Sequence, residues 1–466
     1  MLVAAALAGC ATSPDTPAAV APASAKTNLT RPDVQLPKFL PPVDMGTVTL
    51  GSEPSVAVAP DGTVYVASPS VGAWRSDDQG KTFKPLGKSA CGFGLPACPV
   101  TQENDGNGLD DPGDASLAVA PNGTVWSAGL SGVAGSVPVQ SSSDKGQTWP
   151  KGYDVAKKNS SDREWIVANS TGSVFVSWRD FGSSKDQTCT DPVGISCSSL
   201  PSGVFMARLD PGQPWSEPLK VSDDGHEGPI AADPASSWLY LPHAMGEKSV
   251  FMARSPDGGR TWQDVTVAPL VMDTYDFPIA AVDAAGTVYL VWNTDESEPN
   301  DMNGGLVANE AAIPTVHLSV SKDHGATWSK PVVISPAGVP ALFPWAAAGS
   351  DGRLVVAWYE GTTPTPGDRL PNVWHVAVAM STTADAEKPT FKEAFVTAAP
   401  NHVGAICTEG GFCTLSGNDR SLLDFFEIRL LPDGSPVLAF VGDADVRMAT
   451  VHVYASRMTE GTSMLG

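Results

Sequence analysis

Charged residues are scarce in this sequence, and basic ones are scarcer still. Only 17% of the 466 residues are charged, and 29 Lys and Arg stand against 51 Asp and Glu, which gives a net charge of −22. A surface this acidic repels phosphates and anionic lipid headgroups. The sequence therefore excludes binding driven by nucleic acid or by a lipid surface, and it favours a glycan or a protein as the partner.

Common catalytic and cofactor motifs are also missing. No Gly-x-Ser-x-Gly, His-Glu-x-x-His, phosphate-binding loop or dinucleotide fingerprint occurs, which argues against the enzyme classes that depend on them. None of the seven cysteines has the Cys-x-x-Cys spacing of a zinc site. The sequence predicts that no cofactor is required.

Long apolar runs are absent after the first ten residues, so no later segment is long enough to cross a bilayer as a helix. The segment MLVAAALAGC ends in small residues before Cys10, and this ending resembles the lipobox of bacterial lipoproteins. The resemblance implies a signal peptide over 1–10, cleavage before Cys10 and lipidation of its thiol. Residues 11–45, rich in Ala, Pro, Ser and Thr, are predicted to be a flexible tether. We expect a protein of the bacterial cell envelope, lipid-anchored in the outer membrane, or else secreted.

The other six cysteines form three close pairs along the chain. Local pairing is the simplest of their 15 connectivities, and it predicts the disulfides Cys91–Cys98, Cys189–Cys197 and Cys407–Cys413. Such bridges indicate an oxidising compartment. The 45 Gly and 41 Pro residues favour short strands joined by tight turns, and hence an all-β fold.

Four segments share the pattern Ser-x-Asp-x-Gly-x-Thr-aromatic. They are Ser76–Phe83, Ser142–Trp149, Ser255–Trp262 and Ser321–Trp328. Each resembles an Asp box, the signature of the bacterial neuraminidase (BNR) repeat. Turn chemistry explains every fixed position, because the Asp accepts backbone hydrogen bonds and Gly permits a positive φ. Asp78, Asp144, Asp257 and Asp323 are therefore interpreted as structural residues.

A second repeat, made of an apolar strand, a short turn and an alternating strand, occurs in seven copies, four of which precede a box. A repeat of about 60 residues with four strands is typical of a propeller blade. Residues 46–458 are predicted to form a sialidase-like β-propeller, with seven blades favoured and six as the alternative. The last blade lacks an outer strand, which residues 47–50 are expected to supply.

Long loops and polar residues gather on the face opposite the boxes. Loops on a repetitive scaffold commonly carry binding sites, so the mouth of the central channel is the candidate site. Sialidases grip a substrate carboxylate with three arginines, and they use a Tyr activated by a Glu as nucleophile and an Asp as acid/base. By this resemblance the grip consists of Arg163, Arg179 and Arg420. The nucleophile and its activator are Tyr359 with Glu360, or Tyr275 with Glu227, and the acid is Asp276 or Asp162.

Two functions follow, and the sequence leaves both open. The first is a glycoside hydrolase acting on terminal acidic sugars such as sialic acid. The second is a non-catalytic propeller that binds a glycan or a protein, because the family's Arg-Ile-Pro motif is absent and the arginines can equally form salt bridges. An acidic loop also offers Asp105, Asn107 and Asp110 as ligands for a structural calcium ion, with a solvated loop as the alternative.

Overall fold

The computed structural model describes residues 31, 33–48, 52–68, 72–86, 114–130, 136–149, 152–156, 161–182, 202–223, 226–245, 249–269, 277–294, 298–299, 306–307, 313–364, 372–408, 413, 419–442 and 451–466. Asp33–Gly466 forms one compact unit. Within the described ranges, no helix has both the length and the hydropathy that crossing a membrane demands.

The unit is a β-propeller of seven blades, as predicted. Each blade is an antiparallel sheet whose strands follow chain order from the ring centre to the rim, except that N-terminal strands supply the outer edge of blade 7. Blade 1 comprises Ser55–Val58, Val64–Ser68, Gly72–Ser76 and Lys84–Pro85. Blade 2 comprises Ala115–Val119, Val125–Gly129, Pro138–Ser142 and Tyr153–Asp154. Blade 3 comprises Ser161–Ala168, Val174–Asp180, Gly203–Leu209 and Leu219–Ser222.

The remaining blades follow the same order. Blade 4 comprises His226–Glu227 and Ala231–Ala232, then Leu239–Met245, Ser249–Ser255 and Gln263–Pro269. Blade 5 comprises Ile279–Val282, Val288–Thr294, Thr315–Ser321 and Val332–Val333, with a hairpin of Glu298–Pro299 and Leu306–Val307. Blade 6 comprises Ala341–Ala348, Leu354–Gly361, Asn372–Ser381 and Lys392–Phe395, with His402–Gly404 beside it. Blade 7 comprises Glu427–Leu430, Pro436–Gly442 and Val451–Glu460.

An N-terminal strand completes blade 7, as the sequence predicts. Val43–Val48 pairs with Val451–Glu460, with Thr47 opposite His452. Lys38–Phe39 pairs with the end of the same strand. The closing strand thus begins four residues before the predicted start at Thr47, and the ring extends into the segment predicted as a tether. Pairing the two ends of the chain in one sheet leaves no open edge at the junction.

The four Ser-x-Asp-x-Gly turns have the hydrogen bonds that their residue types suggest. In the second, Asp144 accepts hydrogen bonds from the amides of Gln147 and Thr148 at 3.0 and 2.9 Å. The hydroxyls of Thr148 and Ser142 donate to the same carboxylate at 2.6 and 2.7 Å. These donors hold the pKa of Asp144 below its ordinary value. Lys145 follows with a φ of 61°, so the turn needs a left-handed residue there.

Arginines link neighbouring blades at these turns, in contacts that we call the interblade latches. In each latch an arginine near the end of one blade's third strand donates from Nη1 to a backbone carbonyl in the next blade's turn. The bonds are Arg75 to Lys145 at 2.7 Å, Arg208 to Gly258 at 3.4 Å, Arg254 to His324 at 3.2 Å and Arg457 to Gln79 at 3.0 Å. Arg457 joins blade 7 to blade 1 and thereby reinforces the closure of the ring.

Aromatic side chains fill the centre of the ring. Trp165, Phe277, Trp345 and Phe425 come from the first strands of four blades or from the residues just before them, and all are buried. Trp165 lies 5.6 Å from Phe277, 5.6 Å from Trp345 and 4.8 Å from Phe425, measured between ring centroids. We call these four residues the aromatic plug. The predicted channel mouth therefore has an aromatic floor, and we call the ring of blade entries around it the mouth recess.

Candidate functional site

The mouth is built where the chain enters the first strand of each blade. A register shift between Asp162 and Trp165 interrupts the strand pairing in blade 3, and Arg163 takes a φ of 58°. This bulge lets Arg163 lie over the ring of Phe277, with its guanidinium carbon 4.5 Å from the ring centroid. Cation–π attraction of this kind holds the guanidinium against the aromatic floor.

Arg163 faces carboxylates from three other blade entries. Its Nη2 donates to Asp424 at 2.7 Å. Its Nη1 lies 3.7 Å from a carboxylate oxygen of Glu53 and 3.9 Å from one of Asp114. Its own neighbour Asp162 lies 3.8 Å from Nε. One guanidinium is thus shared among four carboxyl groups.

Arg420 binds the same carboxylate of Asp424 in a bidentate manner. Nη1 donates to one oxygen at 2.5 Å and Nη2 to the other at 2.8 Å. The Asp424 side chain has no exposed surface, while the side chains of Arg163 and Arg420 are 13% and 16% exposed. Burial alone would raise the pKa of Asp424, but the two guanidinium groups outweigh it and lower the pKa. Asp424 is therefore held by a bidentate pair of hydrogen bonds from Arg420 and by one hydrogen bond from Arg163.

The predicted disulfide Cys407–Cys413 is present and precedes Arg420 in the chain. The amide of Cys407 donates to the carbonyl of Asp419 at 2.8 Å, next to Arg420. The disulfide is thereby hydrogen-bonded to the residue that precedes Arg420.

Two further glutamates are buried beside this cluster. Glu164 and Glu227 are 1% and 0% exposed, and no other residue in the described ranges donates a hydrogen bond to either carboxyl group. Burial raises the pKa of both groups well above the ordinary value. Arg179 and Arg163 offset the effect at Glu227 only in part. Burial therefore disfavours the charged form of both groups.

Burial likewise raises the pKa of Glu53, and the charges of Asp114 and Asp424 add to the effect. Glu53 also accepts a hydrogen bond from the amide of Asp424 at 3.1 Å. The mouth thus combines buried glutamates whose pKa values are raised with Asp424, whose pKa two arginines lower.

Tyr359 and Glu360, a predicted nucleophile and its activator, lie apart. Tyr359 is buried, and its hydroxyl donates to the carbonyl of Val441 at 3.4 Å and accepts from the Val441 amide at 3.1 Å. Glu360 accepts a hydrogen bond from the indole of Trp358 at 2.9 Å. Adjacent strand residues point to opposite faces, so these two side chains do not form a nucleophile–activator pair.

The other sequence-predicted residues divide into two groups. Arg179 pairs with Asp162 in the strand register, and its guanidinium carbon lies 5.1 Å from the centroid of the Phe181 ring. Outside the described residues lie Tyr275, Asp276, Asp105, Asn107, Asp110, Cys10, Cys91, Cys98, Cys189 and Cys197. In the part of the chain that is described, no three His, Cys, Asp or Glu residues are grouped so as to hold a metal ion.

Sequence reasoning did not assign site roles to Glu53, Asp114 and Asp424, or recognise the aromatic plug. A weak signal was present, because Glu53, Asp114, Glu227 and Asp424 all stand just before an apolar first strand. Repeated acidic residues at one position of a repeat indicate a shared place around a ring. The pairing of Arg163 with Asp424 has no local signal, since 261 positions separate them.

No protein-family model matches this sequence, and no curated protein sequence matches it. Among solved structures, the NanB sialidase of Streptococcus pneumoniae is similar at 13% identity and a TM-score of 0.46, covering 90% of this chain and 70% of that one. The GH74 enzyme of Niastella koreensis is similar at 14% identity and a TM-score of 0.47, covering 85% of this chain and 52% of that one. A protein of unknown function from Dyadobacter fermentans is similar at 13% identity and a TM-score of 0.41, covering 90% of this chain and 98% of that one. Similarity this low does not extend the chemistry of any neighbour to this chain.

Proposed function

We propose that this chain is a non-catalytic binding propeller of the bacterial cell envelope, anchored through Cys10, with its ligand at the mouth recess. Asp424 carries this proposal. Its carboxylate accepts two hydrogen bonds from Arg420 and one from Nη2 of Arg163, and these are two of the three arginines that a sialidase-like enzyme would use for its substrate. A protein carboxylate thus fills the position that the sugar carboxylate would need.

Displacing Asp424 would be costly. Its side chain is fully buried. If a ligand carboxylate took its two arginines, Asp424 would remain in the same recess as an unpaired anion. Breaking a buried ion pair costs about 3–5 kcal/mol, which is comparable to the whole binding energy of a millimolar ligand, about 4 kcal/mol. The recess therefore disfavours an acidic sugar and suits a neutral glycan or a protein segment that binds the exposed parts of Asp114 and Asp162.

Hydrolysis of a fluorogenic sialoside between about pH 4 and pH 8 tests the proposal, since this range spans the ordinary pKa values of Glu and His. We expect no release of fluorophore above that of a heat-denatured sample. Release that disappears in an Arg420→Ala variant, while that variant still folds, would contradict the proposal. A glycan array probed with the wild type tests for binding directly, and we expect the protein to bind neutral glycans on it.

A sialidase-like hydrolase is the second candidate, and one observation favours it. Glu164 and Glu227 are buried acids with raised pKa values, which is the property that a general acid requires. If fluorophore release is observed, Glu227→Gln should abolish it and remove the alkaline limb of the pH profile. Unchanged release in Glu227→Gln would exclude this group as the acid.

A further inference from the structure

Three aromatic side chains meet at the outer edge of the interface between blades 2 and 3. Trp215 precedes the outer strand of blade 3, and its ring lies 6.3 Å from that of Tyr153 with an angle of 11° between the planes. Trp126 meets Trp215 edge to face, at 6.1 Å and 87°. Tyr153 is 40% exposed, and both tryptophans are half-buried. We call these three residues the aromatic platform.

Trp215 occupies the place of a box aromatic in a repeat that has lost its box. In three intact turns the tryptophan indole N–H donates to the turn glycine carbonyl, as Trp149 does to Gly146 at 3.2 Å and Trp262 to Gly259 at 3.2 Å. No acceptor for the Trp215 indole occurs among the residues that the structure describes. Asp210, at the start of this segment, instead accepts a hydrogen bond from Ser173 at 2.9 Å.

The ring of Trp215 thus packs against Trp126 and Tyr153, while its indole N–H donates no hydrogen bond within the described part of the blade. Tyr153 likewise has no hydrogen bond from its hydroxyl in the described ranges. Two nearly parallel rings with an N–H and an O–H at their edges combine an apolar surface with hydrogen-bonding groups. This combination matches a pyranose ring, whose C–H face packs on aromatic rings while its hydroxyls accept and donate at the edge.

We propose that the aromatic platform is a second ligand site, and that it binds a neutral hexose unit of a polysaccharide. The charge of the protein supports a neutral ligand. A chain of net charge −22 repels sulfated or uronic acid polymers through its long-range field. A partly exposed cluster of aromatic rings is also the kind of apolar surface that marks a binding site. The platform is separate from the mouth recess and does not depend on the function proposed there.

Affinity electrophoresis of the full chain, in gels containing soluble starch, hydroxyethyl cellulose or galactomannan, tests this proposal. We expect at least one of these neutral polysaccharides to retard the wild type. Tyr153→Ala and Trp215→Ala should each weaken binding about tenfold or more, and Trp215→Phe should retain part of the retardation because a ring remains. Phe395→Ala is the matched control, because Phe395 is 39% exposed on the outer strand of blade 6, and it should behave as the wild type.

The outcomes separate the platform from the mouth and from misfolding. Retardation that is lost in Tyr153→Ala and Trp215→Ala but kept in Phe395→Ala assigns the binding to the platform and not to the mouth. Circular dichroism and melting temperature check that the two platform variants fold, and the exposed position of Tyr153 makes its variant the safer one. Retardation by none of the three polysaccharides, or equal loss in Phe395→Ala, would overturn the proposal. Binding only of a proline-rich peptide, lost in Trp215→Ala, would show that the ligand class is wrong.

Discussion

Removing the carboxylate of Asp424 should destabilise the ring more than any change to a surface ion pair. The side chain accepts hydrogen bonds from Arg163 at 2.7 Å and from Arg420 at 2.5 and 2.8 Å, and it is fully buried. A hydrogen bond to a charged group contributes about 1.5–3 kcal/mol, but three bonds sharing two partners are not additive. Breaking a buried pair costs about 3–5 kcal/mol. Glu53 and Asp114 remain near Arg163 in the variant and partly replace the lost partner. We therefore expect Asp424→Ala to lower the free energy of unfolding by about 3–4 kcal/mol, in the lower part of this range.

Urea denaturation near pH 7, followed by tryptophan fluorescence, measures this cost. Asp433→Ala is the control, since Asp433 pairs with Arg457 at 3.0 Å but is 44% exposed, and it should lose at most about 1 kcal/mol. Formate is small enough to fill the space left in Asp424→Ala, so it should raise the melting temperature of that variant and leave the wild type unchanged. A loss below about 1 kcal/mol, or no response to formate, would refute the assignment of Asp424 as the shared anion.

Three other changes test the rest of the structure. Arg457→Lys keeps the charge but loses the hydrogen bonds from Nη1 to the carbonyl and side-chain oxygens of Gln79, so we expect a loss of about 2 kcal/mol in urea denaturation; a loss no larger than that of an exposed arginine would contradict the latch. Burial would raise the pKa of Asp257, but the hydroxyls and amides of its turn lower it to about 2. The Asp257 carboxylate therefore contributes its full stabilisation of the fold above pH 4 and loses it on acidification. Asp257→Ala should lower the free energy of unfolding by about 1–2 kcal/mol at pH 7 but by little near pH 2. Burial and the charge of Glu360 raise the pKa of Glu393 to about 8, so its stabilisation is full below pH 4.5 and falls as the pH rises to 8. After allowance for solvent screening, Glu393→Gln should remove about 1–2 kcal/mol of the decrease in unfolding free energy between pH 4.5 and pH 8. An unchanged pH profile of stability would show that Glu393 does not cause this decrease.

The fold could be predicted because its signals are local and repeated. Turn residues such as Asp257 with Gly259 recur at fixed spacing, and alternating strands such as Val288–Thr294 lie between them. Blade count and ring closure follow from counting these units, because each sheet must cover its neighbour. The arginine latches had a partial signal, since Arg75 and Arg254 directly precede the serine of a box.

The mouth could not be predicted in detail because its geometry depends on backbone irregularities and on ring closure. A positive φ at Arg163 and at Phe343 shifts the strand register, and one such shift reverses the side to which later side chains point. Strand alternation therefore gave no indication that Trp165 and Trp345 meet at the centre. The contact between Arg163 and Asp424 crosses from blade 3 to blade 7, and only the closed ring brings them together.

Calorimetric titration with N-acetylneuraminic acid tests most directly whether the mouth arginines are already occupied. If Asp424 already occupies the hydrogen-bond donors of Arg420 and Nη2 of Arg163, the wild type should show no saturable heat, whereas Asp424→Ala should gain binding that formate competes away. Saturable binding to the wild type that disappears in Arg420→Ala would mean that the forks are open to an acidic sugar, and the non-catalytic assignment would fail with them.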